Sequence, residues 1–147
     1  MGALEIAGII VTGFVGCAES ASVALVRPVI RRLPIDHQLT MERGLLITLG
    51  RVMPVGMTSS ATVLGISLAI SRGTPILIAA AVTLSIALIV TIIGNVPINI
   101  STGRIDQDTS PEGFEAMRRR WDVFQFVRGS LQLIGFVLIV LGVAQSL

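Results

Sequence analysis

Apolar positions along this chain fall into four long runs, at about residues 3–26, 46–70, 74–94 and 123–147. A helix needs roughly 20 mainly apolar residues to cross the hydrocarbon of a bilayer, and each run is long enough. The third contains no charged residue at all. Helix breakers and polar residues separate the runs: Pro28 and Pro34, then Ser71-Arg72-Gly73, then the stretch from Pro97 to Gly113. The pattern predicts an all-α integral membrane protein, an antiparallel up-down bundle of four transmembrane helices. It reads as a single membrane domain over residues 1–147, with long connections at about 27–45 and 95–122. The three residues Ser71 to Gly73 leave room only for a tight hairpin between the second and third helices. Ser110-Pro111-Glu112 reads as a helix start, so a short surface helix from about Pro111 to Arg119 is expected before the fourth span. The first run is too long for a cleaved signal peptide, has no basic residue before it and carries Glu19.

Composition agrees with this pattern. The chain is 52% hydrophobic with a mean hydropathy of +0.86, more apolar surface than a 147-residue soluble domain can hide. Charge then gives the bundle a direction. All eleven basic residues are arginines, and eight of them lie in the first and third connections: Arg27, Arg31, Arg32, Arg43, Arg104, Arg118, Arg119 and Arg120. The opposite side holds only Arg72. The bias places both long connections in the cytoplasm and both termini outside, in the inner or plasma membrane of a bacterium. A pI near 10 therefore points to anionic lipid rather than nucleic acid. Cys17 and His37 are the only residues of their types, which excludes an internal disulfide, a zinc centre and a bis-histidine haem. Cys17 is expected as a small buried packing residue, and His37, beside Asp36, as a surface residue.

Ionisable side chains inside a membrane are costly, so Glu19, Arg51 and Arg128 are candidate site residues. With the orientation above, all three fall in the cytoplasmic half of the bundle. The third helix ends there with Asn95 and Asn99, and Trp121, Gln125, Arg128 and Gln132 form one stripe of the fourth. Gly8, Thr12, Gly16 and Ser20 form a small-residue stripe on the first helix, suited to close helix approach. Thr58, Ser59, Ser60 and Thr62 are expected to bond between helices. Structural readings stand beside the functional ones. Glu19 with Arg51 or Arg128 is equally a register-fixing ion pair, and each arginine alone is able to snorkel to lipid phosphate. Trp121 reads also as an interfacial anchor, and Arg118-Arg119-Arg120 as a topology and lipid-contact signal.

Two motifs carry a resemblance. Asn95-Val96-Pro97-Ile98-Asn99 closes the third hydrophobic helix, and Arg120-Trp121-x-x-Phe124-Gln125-x-Val127-Arg128 opens the last. With four spans in about 150 residues, the chain resembles the anthrone oxygenase-like family of small membrane proteins. Members of that family include enzymes that oxidise polyketide anthrones to anthraquinones with molecular oxygen. The resemblance implies an oxygenase-like enzyme acting on a hydrophobic polycyclic aromatic or quinone-type substrate. It maps Asn95, Asn99, Trp121 and Arg128 onto the family's recurrent polar positions. Relatives often carry His where this chain has Gln125, so a base or metal ligand is not implied there.

An anthrone has a C–H made acidic by its carbonyl, and its anion reacts with oxygen unaided. Such a site needs a base, donors for the oxyanion and a water-poor cavity. Glu19 is the candidate base, with Arg128 and Arg51 as its catalytic partners. Asn95, Asn99, Trp121 and Gln125 are the candidate substrate-binding residues. Molecular oxygen is the expected co-substrate, with no further cofactor and no metal. The expected partners are a hydrophobic small molecule, the lipid bilayer and, through the small-residue faces, a second copy of the chain. Two other classes stay open: a non-enzymatic membrane subunit or assembly factor, and a small proton-coupled transporter. The excess of arginine over carboxylate in the spans favours anionic ligands, which weighs against a cation exporter.

Overall fold

The computed structural model describes residues 3–70, 74–105 and 113–145, without the side chains of residues 67–70. All regular structure among them is helical. We label the helices α1 (Ala3–Ile30), α2 (Ile35–Ile70), α3 (Pro75–Arg104) and α4 (Phe114–Ala144). The sequence-expected hairpin at Ser71–Gly73 and the Ser110-Pro111-Glu112 helix start lie outside the described residues. Helices α1, α3 and α4 are long and apolar enough to cross a membrane, as expected of an integral membrane protein. Helix α2 does not reach that mark among its described residues. Arg51, Pro54 and the Thr58-Ser59-Ser60 run dilute its apolar positions. Among the described residues three helices thus have the length and composition of a crossing, and α2 is the fourth helix of the bundle.

The helices run further than the hydrophobic pattern indicated. The segments read as connections, about 27–45 and 95–122, are largely helical. Only Arg31 to Pro34 break the chain between α1 and α2. The surface helix expected from about Pro111 to Arg119 continues into the fourth span: its described part is the first turns of α4, entered from Gly113 at φ 89°, a left-handed conformation that glycine adopts freely. At 28, 36, 30 and 31 residues the four helices measure about 42 to 54 Å, longer than a hydrocarbon core of about 30 Å. The surplus lies largely at the arginine-rich end.

Prolines explain both continuations. A proline within a helix has no N–H to donate and its ring crowds the carbonyl four residues back. Pro28 and Pro97 do not end their helices. Each follows a five-residue π turn, Ser22–Val26 in α1 and Thr91–Asn95 in α3. The wide turn closes through Arg27 N–H to Ser22 O and Val96 N–H to Thr91 O, one residue ahead of each proline.

Close contacts fix the packing. Gly8 faces Val63 and Gly56 faces Val15, so α1 and α2 are antiparallel. Gly16 meets the backbone of Gln132 and Gly129 meets Glu19, which sets α4 antiparallel to α1. Gly135 and Gly142 receive Leu84 and Leu77, and Gly94 receives the Phe124 ring, so α3 also runs antiparallel to α4. Each helix thus packs on its sequence neighbours, and α4 closes the ring on α1. The half nearer the termini is filled by Leu64, Leu77, Ala80, Leu84, Ile139 and Val143. Val15, Met53, Met57 and Ala87 form a belt across the middle. Beyond that belt, at the arginine-rich end, the interior becomes polar.

Candidate functional site

Glu19 is the deepest charge in the bundle, 1% exposed, one turn before the π segment of α1. Gly129 stands opposite it on α4, where an added Cβ would sit 3.6 Å from Glu19 Cβ, an ordinary contact. Arg128 is the residue before that glycine. Its Nη2 donates to both Glu19 oxygens at 2.7 and 2.6 Å and to Gln125 Oε1 at 2.6 Å. Gln125 Nε2 in turn donates to Glu19 Oε2. Of the two partners the sequence offered Glu19, the carboxylate takes Arg128. Arg51 is exposed on α2 and does not join this triad.

A cavity of about 390 Å³ opens against the triad. Glu19, Gln125 and Arg128 line it, as do Arg51, Asn99 and Trp121. Six of the seven sequence-predicted site residues therefore share one space. Asn95 does not reach that surface. It is fully buried in the α3 π turn, and both its amide atoms lack a hydrogen-bond partner among the described residues. Gln132 is likewise buried and unpartnered, one turn past Arg128 on the same stripe.

A second polar cluster, not foreseen from the sequence, forms the other wall. Glu42 is 3% exposed and takes Arg27 Nη1 on one oxygen and Arg118 Nε on the other, each at 2.5 Å. Arg27 Nε also donates to Asp122 at 2.6 Å, and Arg31 pairs with the second Asp122 oxygen. The Arg27 and Arg118 guanidinium carbons lie 5.1 and 4.5 Å from the Trp121 ring centre. The Trp121 N–H donates to Asn99 Oδ1 at 2.7 Å, which ties α4 to α3. Arg27 and Arg118, read as loop charges for topology and lipid contact, are buried ion-pair partners instead. Arg119 and Arg120 of the same run are exposed. The signal that could have found them is spacing: Arg118, Trp121, Gln125 and Arg128 continue one helical stripe, while Arg119 and Arg120 fall off it.

Other expectations changed in the same way. Cys17 is exposed, because its neighbour Gly16 takes the packed position against α4. The hydroxyls of Thr58 and Ser60 bond back to Pro54 and Gly56 carbonyls of their own helix, not across the bundle. His37 is exposed as expected. Among the described residues no three His, Cys, Asp or Glu side chains are grouped to hold a metal.

A cavity lined by two buried carboxylates, Glu19 and Glu42, four arginines, the carboxamides of Asn99 and Gln125, and Trp121 with apolar neighbours has the shape and donors to take a flat aromatic molecule that carries partial negative charge. A family model described as anthrone oxygenase matches residues 43–138. That stretch contains Arg51, Asn95, Asn99, Trp121, Gln125 and Arg128, whereas Glu19 and Arg27 reach the site from α1, ahead of it. No curated protein and no solved structure matches the chain.

Proposed function

The chain belongs to the anthrone oxygenase family, and on that premise we propose that it oxidises a hydrophobic polycyclic aromatic or quinone-type substrate with molecular oxygen, inside the membrane. All four helices cross the bilayer in this reading, with the cavity in the cytoplasmic half and both termini outside. The observation that carries it is the Glu19–Gln125–Arg128 triad on the wall of a cavity large enough for a three-ring aromatic.

Glu19 acts as the base and takes a proton from the carbon opposite the substrate carbonyl. The electron pair of that C–H bond moves onto the carbonyl oxygen, which becomes a phenolate-like oxyanion. Arg128, Gln125 and Asn99 are the donors placed along the wall for that charge. The anion passes one electron to oxygen, the resulting radical and superoxide combine into a C–O bond, and the peroxide anion so formed takes the proton back from Glu19 to become the hydroperoxide. Loss of water from the hydroperoxide then leaves a second carbonyl. One anthrone and one O2 give one anthraquinone and one water, with no external reductant. Trp121 and the apolar residues Leu49, Met53 and Ile100 flank the ring system. The transporter reading fits less well, because the cavity wall carries four arginines, Arg27, Arg51, Arg118 and Arg128, against the carboxylates Glu19 and Glu42, which suits an anion rather than a cation.

Purified protein in detergent is the test. Offered an anthrone, it consumes oxygen above buffer, and Glu19→Gln lowers that rate by at least about 100-fold, the usual worth of a positioned base. Absence of uptake, or full activity in the variant, would overturn the assignment.

A further inference from the structure

The cavity wall carries more positive than negative charge. Its ionisable residues are Glu19, Glu42, Arg27, Arg51, Arg118 and Arg128. Arg128 is matched by Glu19, and Arg27 and Arg118 share Glu42, with Asp122 behind them as a second partner for Arg27. Arg51 is the one lining arginine that pairs with no carboxylate among the described residues. It stands on α2 beside Gly50 and within a turn of Pro54, both on the same wall. A guanidinium with no carboxylate partner on a cavity wall leaves that part of the wall positive and attracts an anion. Its planar fork matches a carboxylate with two parallel hydrogen bonds.

We propose that the ligand of this cavity is an aromatic acid, and that Arg51 is the residue that receives its carboxylate. The aromatic part rests on the oxygenase reading above; the preference for an acid rests on the arginine left over. An acid lying between Arg51 and the triad keeps its charge off Glu19, so the base is not opposed by a second negative group. The phosphate of an anionic lipid offers similar chemistry, so the test separates the two.

Trp121 is the chain's sole tryptophan and lines the cavity, so its fluorescence reports occupancy at the site itself. Purified full-length protein in a neutral detergent is titrated with anthraquinone-2-carboxylate and with its methyl ester. The acid binds about tenfold more tightly, equivalent to about 1.4 kcal/mol. Arg51→Gln brings the two ligands to within about twofold, while Arg51→Lys keeps most of the preference. Because Arg51 is exposed, molar salt also narrows the gap. Equal binding of acid and ester by the unaltered protein, or a preference that survives Arg51→Gln, overturns the proposal. So does displacement of the acid by phosphatidylglycerol, but not phosphatidylcholine, with the same dependence on Arg51, which would make the site a headgroup seat. Arg51-dependent acid binding without any oxygen uptake would instead overturn the oxygenase reading and leave the acid site standing.

Discussion

Arg128 neutralises the buried charge of Glu19, and its removal leaves that charge unpaired in a dry interior. The expected cost of Arg128→Ala is about 3–5 kcal/mol. Replacing both partners with apolar residues, Glu19→Leu with Arg128→Met, removes the unpaired charge and recovers most of the loss. Thermal unfolding in detergent checks this: the single variant melts well below the double one. Equal melting of the two would show that the pair is not the buried contact described. Trp121→Phe keeps an aromatic ring near Arg27 and Arg118 but loses the N–H to Asn99. It is expected to destabilise by about 1 kcal/mol, the net worth of one hydrogen bond, measured in the same assay. At this scale the sequence was informative where a residue sat in the wrong solvent. Glu19, Gln125 and Arg128 were legible for that reason. Arg27, Glu42 and Asp122 were not, because charges beyond the apolar runs look like loop charges until the helices extend past the membrane. Cys17 misled because Gly16, one residue away, takes the buried position.

Among the elements, the two π turns do most to place the site. In α3 the turn sets Gly94 under the Phe124 ring and buries Asn95, while Asn99 reaches Trp121. Pro97→Ala restores a donor and removes the ring that disfavours ordinary helix, so the π turn is expected to relax to α. That shifts register by one residue, about 100° of rotation per residue in an α-helix. Oxygen uptake then falls while the melting temperature holds or rises. Unchanged uptake would separate the π turn from the site. The helix contacts are equally specific. A Cβ on Gly16 would stand 3.3 Å from the Gln132 carbonyl oxygen, which is backbone and yields little. Gly16→Leu is therefore expected to separate α1 from α4 and to lower both stability and activity. The small-residue stripe was readable in the sequence by its spacing of four. The continuation of α1 and α3 through proline was not, because a proline reads as a stop unless a wide turn precedes it.

For the whole molecule, the bundle is polarised. A dry plug of leucine, isoleucine, valine and alanine occupies the end near the termini, and the cavity and arginine clusters occupy the other. The eight arginines counted in the sequence belong to that second end, and in the proposed orientation that end faces the cytoplasm. A protease-cleavable tag at the C-terminus is then expected to be cut in intact cells, whereas protection of the tag would reverse the orientation. The polarity was legible from arginine spacing alone. The cavity was not, because its walls come from all four helices and only their packing brings them together.

The central claim is that the Glu19 cavity oxidises an aromatic substrate with oxygen. Turnover of an anthrone under 18O2, followed by mass spectrometry of the product, tests it most directly. One 18O atom is expected in each anthraquinone formed by the unaltered protein, and product no greater than the protein-free blank from Glu19→Gln. Unlabelled anthraquinone, or equal labelled yields from the two proteins, would contradict it.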